Sequence, residues 1–239
     1  MKRLLVCGML LALALPLVSA ADKDDKDEPA SPKAALQALN DFIGEWKGSG
    51  GPAKATAASK DIWSETLTWS WRFKGDDAWL TLDVKNGKYY KGGELRWLPD
   101  TKRYQLTLTD RAGKKQVFAG DLKDEVLVLE RTDPATKETQ QIKMNTAAEG
   151  IRLIYRFAHK PEGKTLYVAD YQVAANKAGE SLGKTEKKNE CVVSGGLGTI
   201  PVSYKGVSYY VCCTGCKDAF MENPEKYIKE FEARKAGKK

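Results

Sequence analysis

The sequence predicts a mainly β protein, with an N-terminal antiparallel up-and-down β-barrel and a small C-terminal cysteine module built from a β-hairpin and an α-helix. The barrel is predicted by about eight to ten short runs that alternate between apolar and polar residues, separated by turn residues without an intervening helical segment. The module is predicted by the cysteines, because four of the five lie close together near the C-terminus.

The first 20 residues are typical of a secretory signal peptide. Lys2 and Arg3 precede an apolar run, Leu4–Val18, and the small residues Ser19 and Ala20 suit cleavage after position 20. Removal of this peptide takes away two positive charges, so the formal net charge falls from +7 to +5, and four cysteines remain. We therefore expect an exported protein, located in the periplasm or outside the cell.

Charge and hydropathy argue against two classes of function. The excess of positive charge is spread along the chain, which does not favour nucleic-acid binding. Beyond the predicted signal peptide, no apolar stretch approaches the ~20 residues that a membrane-spanning helix needs. We expect a monomer without a membrane span.

Two polar segments set the domain boundaries. Residues 21–33 are charged, carry two prolines and lack large apolar side chains, so they are expected to form a disordered tether. Residues 176–190 are similar and are expected to form a linker, which places the barrel at 34–175 and the module at 191–234. Because the linker offers little apolar surface, we expect the barrel to fold by itself without docking to the module.

The barrel begins with a short amphipathic helix, predicted over Ala34–Phe42, that leads into a first strand at Gly44-Glu45-Trp46. The next run, Trp63–Phe73, places aromatic side chains on one face and polar side chains on the other. The same alternation predicts six further strands, over Leu80–Val84, Tyr104–Thr109, Val126–Leu129, Ile142–Met144, Ile151–Phe157 and Leu166–Val173.

The Gly44-x-Trp46 motif after a short helix resembles the entrance of the calycin superfamily of lipocalin-like barrels. Residues 34–173 are more closely similar to the DUF1579-type secreted bacterial proteins. The resemblance favours a barrel over a sandwich and implies an interior that can hold a small apolar ligand. Trp63, Trp69 and Trp71 are then the candidate residues of a ligand pocket, and the alternative is that these side chains simply fill the interior.

The module is predicted to contain a hairpin followed by a helix. Two alternating runs around Lys205-Gly206 predict the β-hairpin over Val202–Val211. The helical stretch runs from Lys217 to about Arg234, with a break at Asn223-Pro224. About 50 residues bury too little apolar surface to fold unaided, so a bound metal or disulfides are expected to support this module.

The predicted hairpin brings Cys191 towards Cys212, and the helix start places Cys216 where the positive end of a helix favours thiolates. The cysteine spacing, the Tyr-x-Gly-x-x-Tyr-Tyr pattern of Tyr204–Tyr210 and the Asn-Pro-Glu-Lys-Tyr pattern of Asn223–Tyr227 resemble a YHS domain of the TRASH-like heavy-metal-binding group. This resemblance implies that Cys191, Cys212 and Cys216 bind a metal ion.

The fourth ligand of that ion is left open by the sequence. Cys213, a water molecule, or a carboxylate from Asp218 or Glu222 could supply it. Thiolates select soft ions, so zinc or copper(I) is the expected cofactor. The alternative is a set of structural disulfides, which an exported protein can form in an oxidising compartment.

Together these features predict an exported, non-enzymatic protein that binds, senses or handles a soft metal ion through its cysteine cluster. The alternative is a carrier of a small apolar ligand, bound in the barrel, with the cysteine module as a structural zinc or disulfide staple. No enzyme is predicted, because the single histidine, His159, accompanies no recognisable catalytic motif.

Overall fold

The structure, a computed structural model, describes residues 29, 31–54, 60–179 and 189–237. The predicted signal peptide, residues 1–20, lies outside the described residues and stays a prediction. The same holds for most of the predicted tether and for residues 180–188 of the predicted linker. In the described part of the chain, no helix has the length and apolar character needed to cross a membrane.

Ten antiparallel strands form the closed barrel that the alternating pattern predicts. Each strand pairs with its neighbours in sequence, and β1 pairs with β10 to close the sheet. This up-and-down topology confirms the predicted fold class and is consistent with a calycin-like fold. The strands are β1 Gly44–Pro52, β2 Trp63–Lys74, β3 Asp77–Lys85, β4 Tyr90–Leu98, β5 Arg103–Asp110, β6 Lys115–Lys123, β7 Val126–Thr132, β8 Thr139–Ala147, β9 Arg152–Lys160 and β10 Val168–Lys177.

A short helix closes the base of the barrel, as expected, but it starts earlier than predicted. Helix α1 spans Pro32–Gln37, two residues into the predicted tether, because the Ser31 side chain accepts a hydrogen bond from the Ala34 N–H (3.2 Å) and a proline suits the first helical position. A 3₁₀-helix, Asn40–Phe42, follows it. The Tyr104 hydroxyl donates to the Ala35 carbonyl (2.8 Å), which ties α1 to the inside of the barrel.

The barrel interior is filled mainly by aromatic and aliphatic side chains. Trp46, at the start of β1, is fully buried, and its indole N–H donates to the Phe42 carbonyl (2.7 Å). The inward face of β2 carries Trp69 and Trp71, which are also almost completely buried. One face of β2 is therefore buried and the other is polar, as the alternating pattern predicts.

The C-terminal module contains the predicted hairpin and a broken helix. Lys205 and Gly206 both adopt positive φ, at 49° and 79°, which is the backbone of a type I′ turn. The Asn223 side chain caps the second helix by accepting from the Lys226 N–H, at the predicted break. The elements are β11 Asn189–Glu190, β12 Leu197–Gly198, β13 Ile200–Tyr204, β14 Val207–Val211, α2 Thr214–Glu222 and α3 Pro224–Ala236.

The expectation that the module and the barrel do not dock is wrong, because the module packs on the end of β2. The pairing of β1 with β2 stops at Trp69, whereas β2 continues to Lys74 beside β3, so the last residues of β2 have an edge that β1 does not cover. The Trp71 N–H on this edge donates to the Cys213 Sγ (3.4 Å). Buried side chains of both units form one continuous apolar core.

We predict that Gly215→Ala disrupts this docking. A Cβ on Gly215 would lie 1.7 Å from the Trp71 carbonyl oxygen, and a backbone atom in a closed barrel cannot move aside cheaply. Helix α2 would then have to shift away from β2, which lowers the free energy of unfolding and exposes the module to protease. Chemical denaturation and limited proteolysis measure both effects.

The matched control is Gly237→Ala, whose Cβ would make only ordinary contacts, the nearest at 3.7 Å. Equal stability of the two alanine variants would contradict the docking described above.

We also predict that Trp46→Ala lowers the free energy of unfolding by about 3–5 kcal/mol, the usual cost of removing a large buried aromatic side chain. Trp79, which lies half-buried under the Arg96 guanidinium (4.3 Å to the ring centre), is the control. Trp79→Ala should cost less than half as much in the same urea titration. A Trp46→Ala loss no larger than that of the control would mean that Trp46 is not part of the barrel core.

Candidate metal centre

Three separate elements bring three cysteines together. Cys191 directly follows β11 and pairs with Tyr210 of β14 through an isolated bridge. Cys212 directly follows β14, and Cys216 lies in the first turn of α2. The β13–β14 hairpin therefore delivers the end of β14 to a point between Cys191 and the start of α2.

The sulfur atoms of Cys191, Cys212 and Cys216 all lie within 4.8 Å of one another. The Cys212 and Cys216 Sγ atoms are 3.5 Å apart. Cys191 and Cys216 are fully buried, whereas Cys212 is half-buried and reaches a more open environment. All four described cysteines are free thiols.

Cys213 lies beside this cluster but contacts the barrel. Its Sγ atom is 3.9 Å from the Cys212 Sγ and accepts the hydrogen bond from the Trp71 N–H. Cys213 is also the N-cap residue of α2. The structure therefore gives Cys213 a role at the interface and does not group it with the three clustered thiols.

The two carboxylates considered from the sequence as a fourth ligand lie outside the cluster. Asp218 and Glu222 are exposed residues of α2. The described His, Cys, Asp and Glu residues that could jointly hold an ion here are the three cysteines alone.

Ser194 is a member of the site that sequence reasoning missed. The residue is fully buried, its hydroxyl lies 3.4 Å from the Cys212 Sγ, and its N–H donates to the Cys191 Sγ (3.4 Å). The fourth ligands expected from the sequence were Cys213, water and the carboxylates of Asp218 and Glu222, and the Ser194 hydroxyl was not among them. The available signal was the Cys-x-x-Ser spacing, which lets a tight turn fold the serine back onto the cysteine.

The barrel positions the Ser194 turn. The Gln37 and Asn40 side-chain amides both donate to the Ser194 carbonyl, at 2.9 and 3.0 Å. The Asn40 side-chain oxygen in turn accepts from the Trp71 indole N–H (3.2 Å). Residues of the barrel base thus hold the loop that carries Cys191.

Hydrogen bonding divides the thiols into donors and acceptors. Bonds from the Cys212 and Cys216 thiols lower the pKa of Cys191, and the N–H of Ser194 adds to this effect. Burial raises the pKa of Cys216, and the hydrogen bond to Cys191 raises the pKa of Cys212. Among the three clustered cysteines without metal, these bonds favour a thiolate at Cys191 and protonated thiols at Cys212 and Cys216, which a metal ion would deprotonate on binding. Hydrogen bonds from Cys212 and Cys216 also lower the pKa of Cys213.

The donor set suits a soft metal ion. Three sulfur atoms that converge within 4.8 Å, two of them in fully buried residues, provide soft ligands, and the described residues place no carboxylate or imidazole among them. Cys191, Cys212 and Cys216 would hold the ion, whose charge would compensate the thiolates in a site largely removed from water.

The three tryptophans proposed for a barrel pocket occupy three different environments. Trp69 lines an interior cavity with a volume of about 30 Å³. Trp63 lies at one end of the barrel and donates to Glu65 (2.8 Å), while Trp71 lies at the opposite end against the module. The structure therefore does not bring these residues together in one pocket.

A comparison with protein-family models matches residues 200–230 to the YHS domain. The matched range contains Cys212 and Cys216, and Cys191 precedes it. A comparison with curated proteins finds no match. The C-terminal module is thus similar to a YHS domain, and this likeness together with the cysteine cluster points to metal binding.

Proposed function

We propose that this protein is an exported, non-enzymatic metal-binding protein that takes up a soft metal ion through Cys191, Cys212 and Cys216. The observation that carries the proposal is the convergence within 4.8 Å of three thiols from three separate elements, two of them fully buried and that of Cys212 half-buried. The cost of burying three thiolates is offset when they share a cation. The match of the module to the YHS domain supports the same function.

Between the two expected ions, the donor set favours copper(I) over zinc. Structural zinc sites are almost always four-coordinate. This cluster supplies only three cysteines from the described residues, because the Cys213 sulfur atom accepts a hydrogen bond from Trp71 instead. The Ser194 hydroxyl is the nearest additional polar group, at 3.4 Å from Cys212, and an oxygen donor there suits zinc better than copper(I). Ser194→Ala therefore separates the two ions, since it should weaken zinc binding and leave copper(I) binding nearly unchanged.

Metal exchange would proceed through Cys212. This residue lines a cleft of about 370 Å³ between the barrel base and the module, together with Lys177 and Thr199. The other two clustered cysteines are fully buried. An incoming ion would thus meet Cys212 before Cys191 and Cys216, and the interior thiols would complete its coordination.

The alternative function, a carrier of a small apolar ligand in the barrel, receives less support. The interior cavity of about 30 Å³ has room for about two water molecules. A lipid-like ligand would need the core around Trp69 to open, at the cost of packing energy. The metal proposal requires no such rearrangement.

We predict that the protein purified anaerobically, without added reductant, carries one soft metal ion per chain. Elemental analysis should find copper or zinc at a ratio near one, and competition with a copper(I) chelator and a zinc chelator should rank the two affinities. At a free metal concentration 100 times Kd, binding should raise the free energy of unfolding by about 2.7 kcal/mol. Protein that is metal-free, contains disulfides and gains no stability from either ion would contradict the proposal.

We further predict that Cys191→Ser, Cys212→Ser and Cys216→Ser each weaken metal binding by at least about tenfold, because each removes one of three thiolate ligands. Cys213→Ser is the matched control. It should lower the stability of the docked module through its bond to Trp71 and leave the metal affinity within about threefold of the parent. If all four variants lose affinity equally, Cys213 is a ligand and the three-thiol assignment is wrong.

A further inference from the structure

The end of the barrel opposite α1 and the cysteine module contains a buried carboxylate that has no cationic partner among the described residues. Glu65 on β2 is only 4% exposed. Its two oxygens accept hydrogen bonds from the Tyr155 hydroxyl (2.7 Å) and the Trp63 indole N–H (2.8 Å), which are both neutral donors. Within the described residues Glu65 forms no ion pair. A buried carboxylate of this kind is costly unless a cation joins it.

Aromatic rings adjoin this carboxylate. The ring centres of Trp63 and Tyr89 are 5.5 Å apart and meet edge to face, and Tyr89 stacks on Tyr171 at 4.4 Å. The ring centres of Trp63 and Tyr171 are 5.8 Å apart, also in an edge-to-face arrangement. Burial raises the pKa of Tyr155 and of Tyr171, so both rings keep their neutral hydroxyl groups at neutral pH. The faces of such rings attract cations.

The protein already places one ammonium group against these rings. The Lys88 Nζ atom lies 5.0 Å from the ring centre of Trp63 and 5.4 Å from that of Tyr89. The ammonium group also pairs with Asp61, an exposed carboxylate. The surface formed by Trp63 and Tyr89 therefore suits an organic cation, and Lys88 is the group that an incoming cation would displace.

The charges at this end favour a cation over an anion. Arg131 is the nearby inward-facing cation of β7, and its guanidinium is already bonded to Asp133 (2.7 Å) and to Gln140 (2.7 Å). A ligand carboxylate would find this cation compensated and would face the charge of Glu65. Glu65 itself lines the interior cavity, which has room for about two water-sized groups.

We infer that the Glu65 end of the barrel binds a small organic ammonium ion. The ammonium N–H groups donate to the Glu65 carboxylate, and the carbon atoms next to the nitrogen pack on the faces of Trp63 and Tyr89, with the Lys88 ammonium moved aside. The site lies at the end of the barrel opposite the cysteine cluster and does not depend on the proposed metal function.

The test uses the full chain, reduced and freed of metal with a copper(I) chelator and EDTA, with the Trp63 indole N–H as a local NMR probe. This signal is assigned by its loss in Trp63→Phe and is titrated with ethylammonium chloride, ethanol and sodium acetate at constant ionic strength. We expect a saturable shift with ethylammonium, a Kd for ethanol weaker by at least about tenfold, and no saturable shift with acetate.

Two variants and a control identify the contacts. Glu65→Gln should weaken ethylammonium binding by at least about tenfold, whereas Glu94→Gln, the same change at an exposed carboxylate of β4, should leave it unchanged. Lys88→Met should strengthen binding severalfold, because it removes the competing ammonium. This third variant keeps the test decisive if Glu65→Gln does not fold.

Equal affinities for ethanol and ethylammonium would overturn the inference. So would unchanged binding in Glu65→Gln, or the absence of a saturable shift in both the parent and Lys88→Met. Failure of metal binding in the elemental analysis would leave this result untouched, since the metal is removed before every titration and Glu65, Trp63 and Tyr89 are not part of the cysteine cluster.

Discussion

The uncovered edge of β2 is the constraint on which the arrangement of the two units depends. β1 begins at Gly44, opposite Trp69, so the backbone of Trp71 has no strand beside it on that side of the closed barrel. An unpaired buried N–H is costly, and the Cys213 Sγ satisfies it. The close approach this requires is possible because the following helix carries Gly215, without a side chain, against the Trp71 carbonyl.

This contact also decides which cysteines remain for a metal. A sulfur atom that accepts the Trp71 N–H is fixed towards the barrel, whereas the Sγ atom of Cys216, three residues later in the chain, lies 3.5 Å from that of Cys212. The Asn40 side chain links the same tryptophan to the Ser194 loop. Anything that orders the cluster should therefore also order the barrel base, which makes metal binding and barrel stability thermodynamically linked.

The sequence predicted the barrel because strands such as β2 have one buried and one exposed face, which produces an apolar–polar alternation with a period of two. The alternating runs did not include β4 and β6, which the structure adds to the barrel. The sequence was also sufficient for the hairpin, since the Lys205-Gly206 turn requires positive φ at both positions. The grouping of Cys191 with Cys212 and Cys216 follows from that hairpin. These features are local, so a local pattern can reveal them.

The docking of the module could not be predicted in the same way. It arises from a mismatch in the lengths of β1 and β2 and from the bond between Trp71 and Cys213, whose positions are 142 residues apart in the chain. The role of Ser194 was missed for a related reason, because its hydroxyl matters only when the Cys191 turn and the β14 end meet in space. The linker composition was misleading, since the apolar docking surface lies on β2 and α2 and not on the linker.

The two ends of the barrel differ in chemistry, and this difference keeps their proposed ligands apart. The base end presents a cluster of soft sulfur donors, which prefer soft, polarisable metal ions. The opposite end presents a hard carboxylate beside aromatic faces, which attract a cation by charge and offer a soft metal only one carboxylate as ligand. An ammonium ion cannot ligate to thiolates as a metal does, and copper(I) gains little from Glu65. Each site can therefore be filled without competition from the ligand of the other.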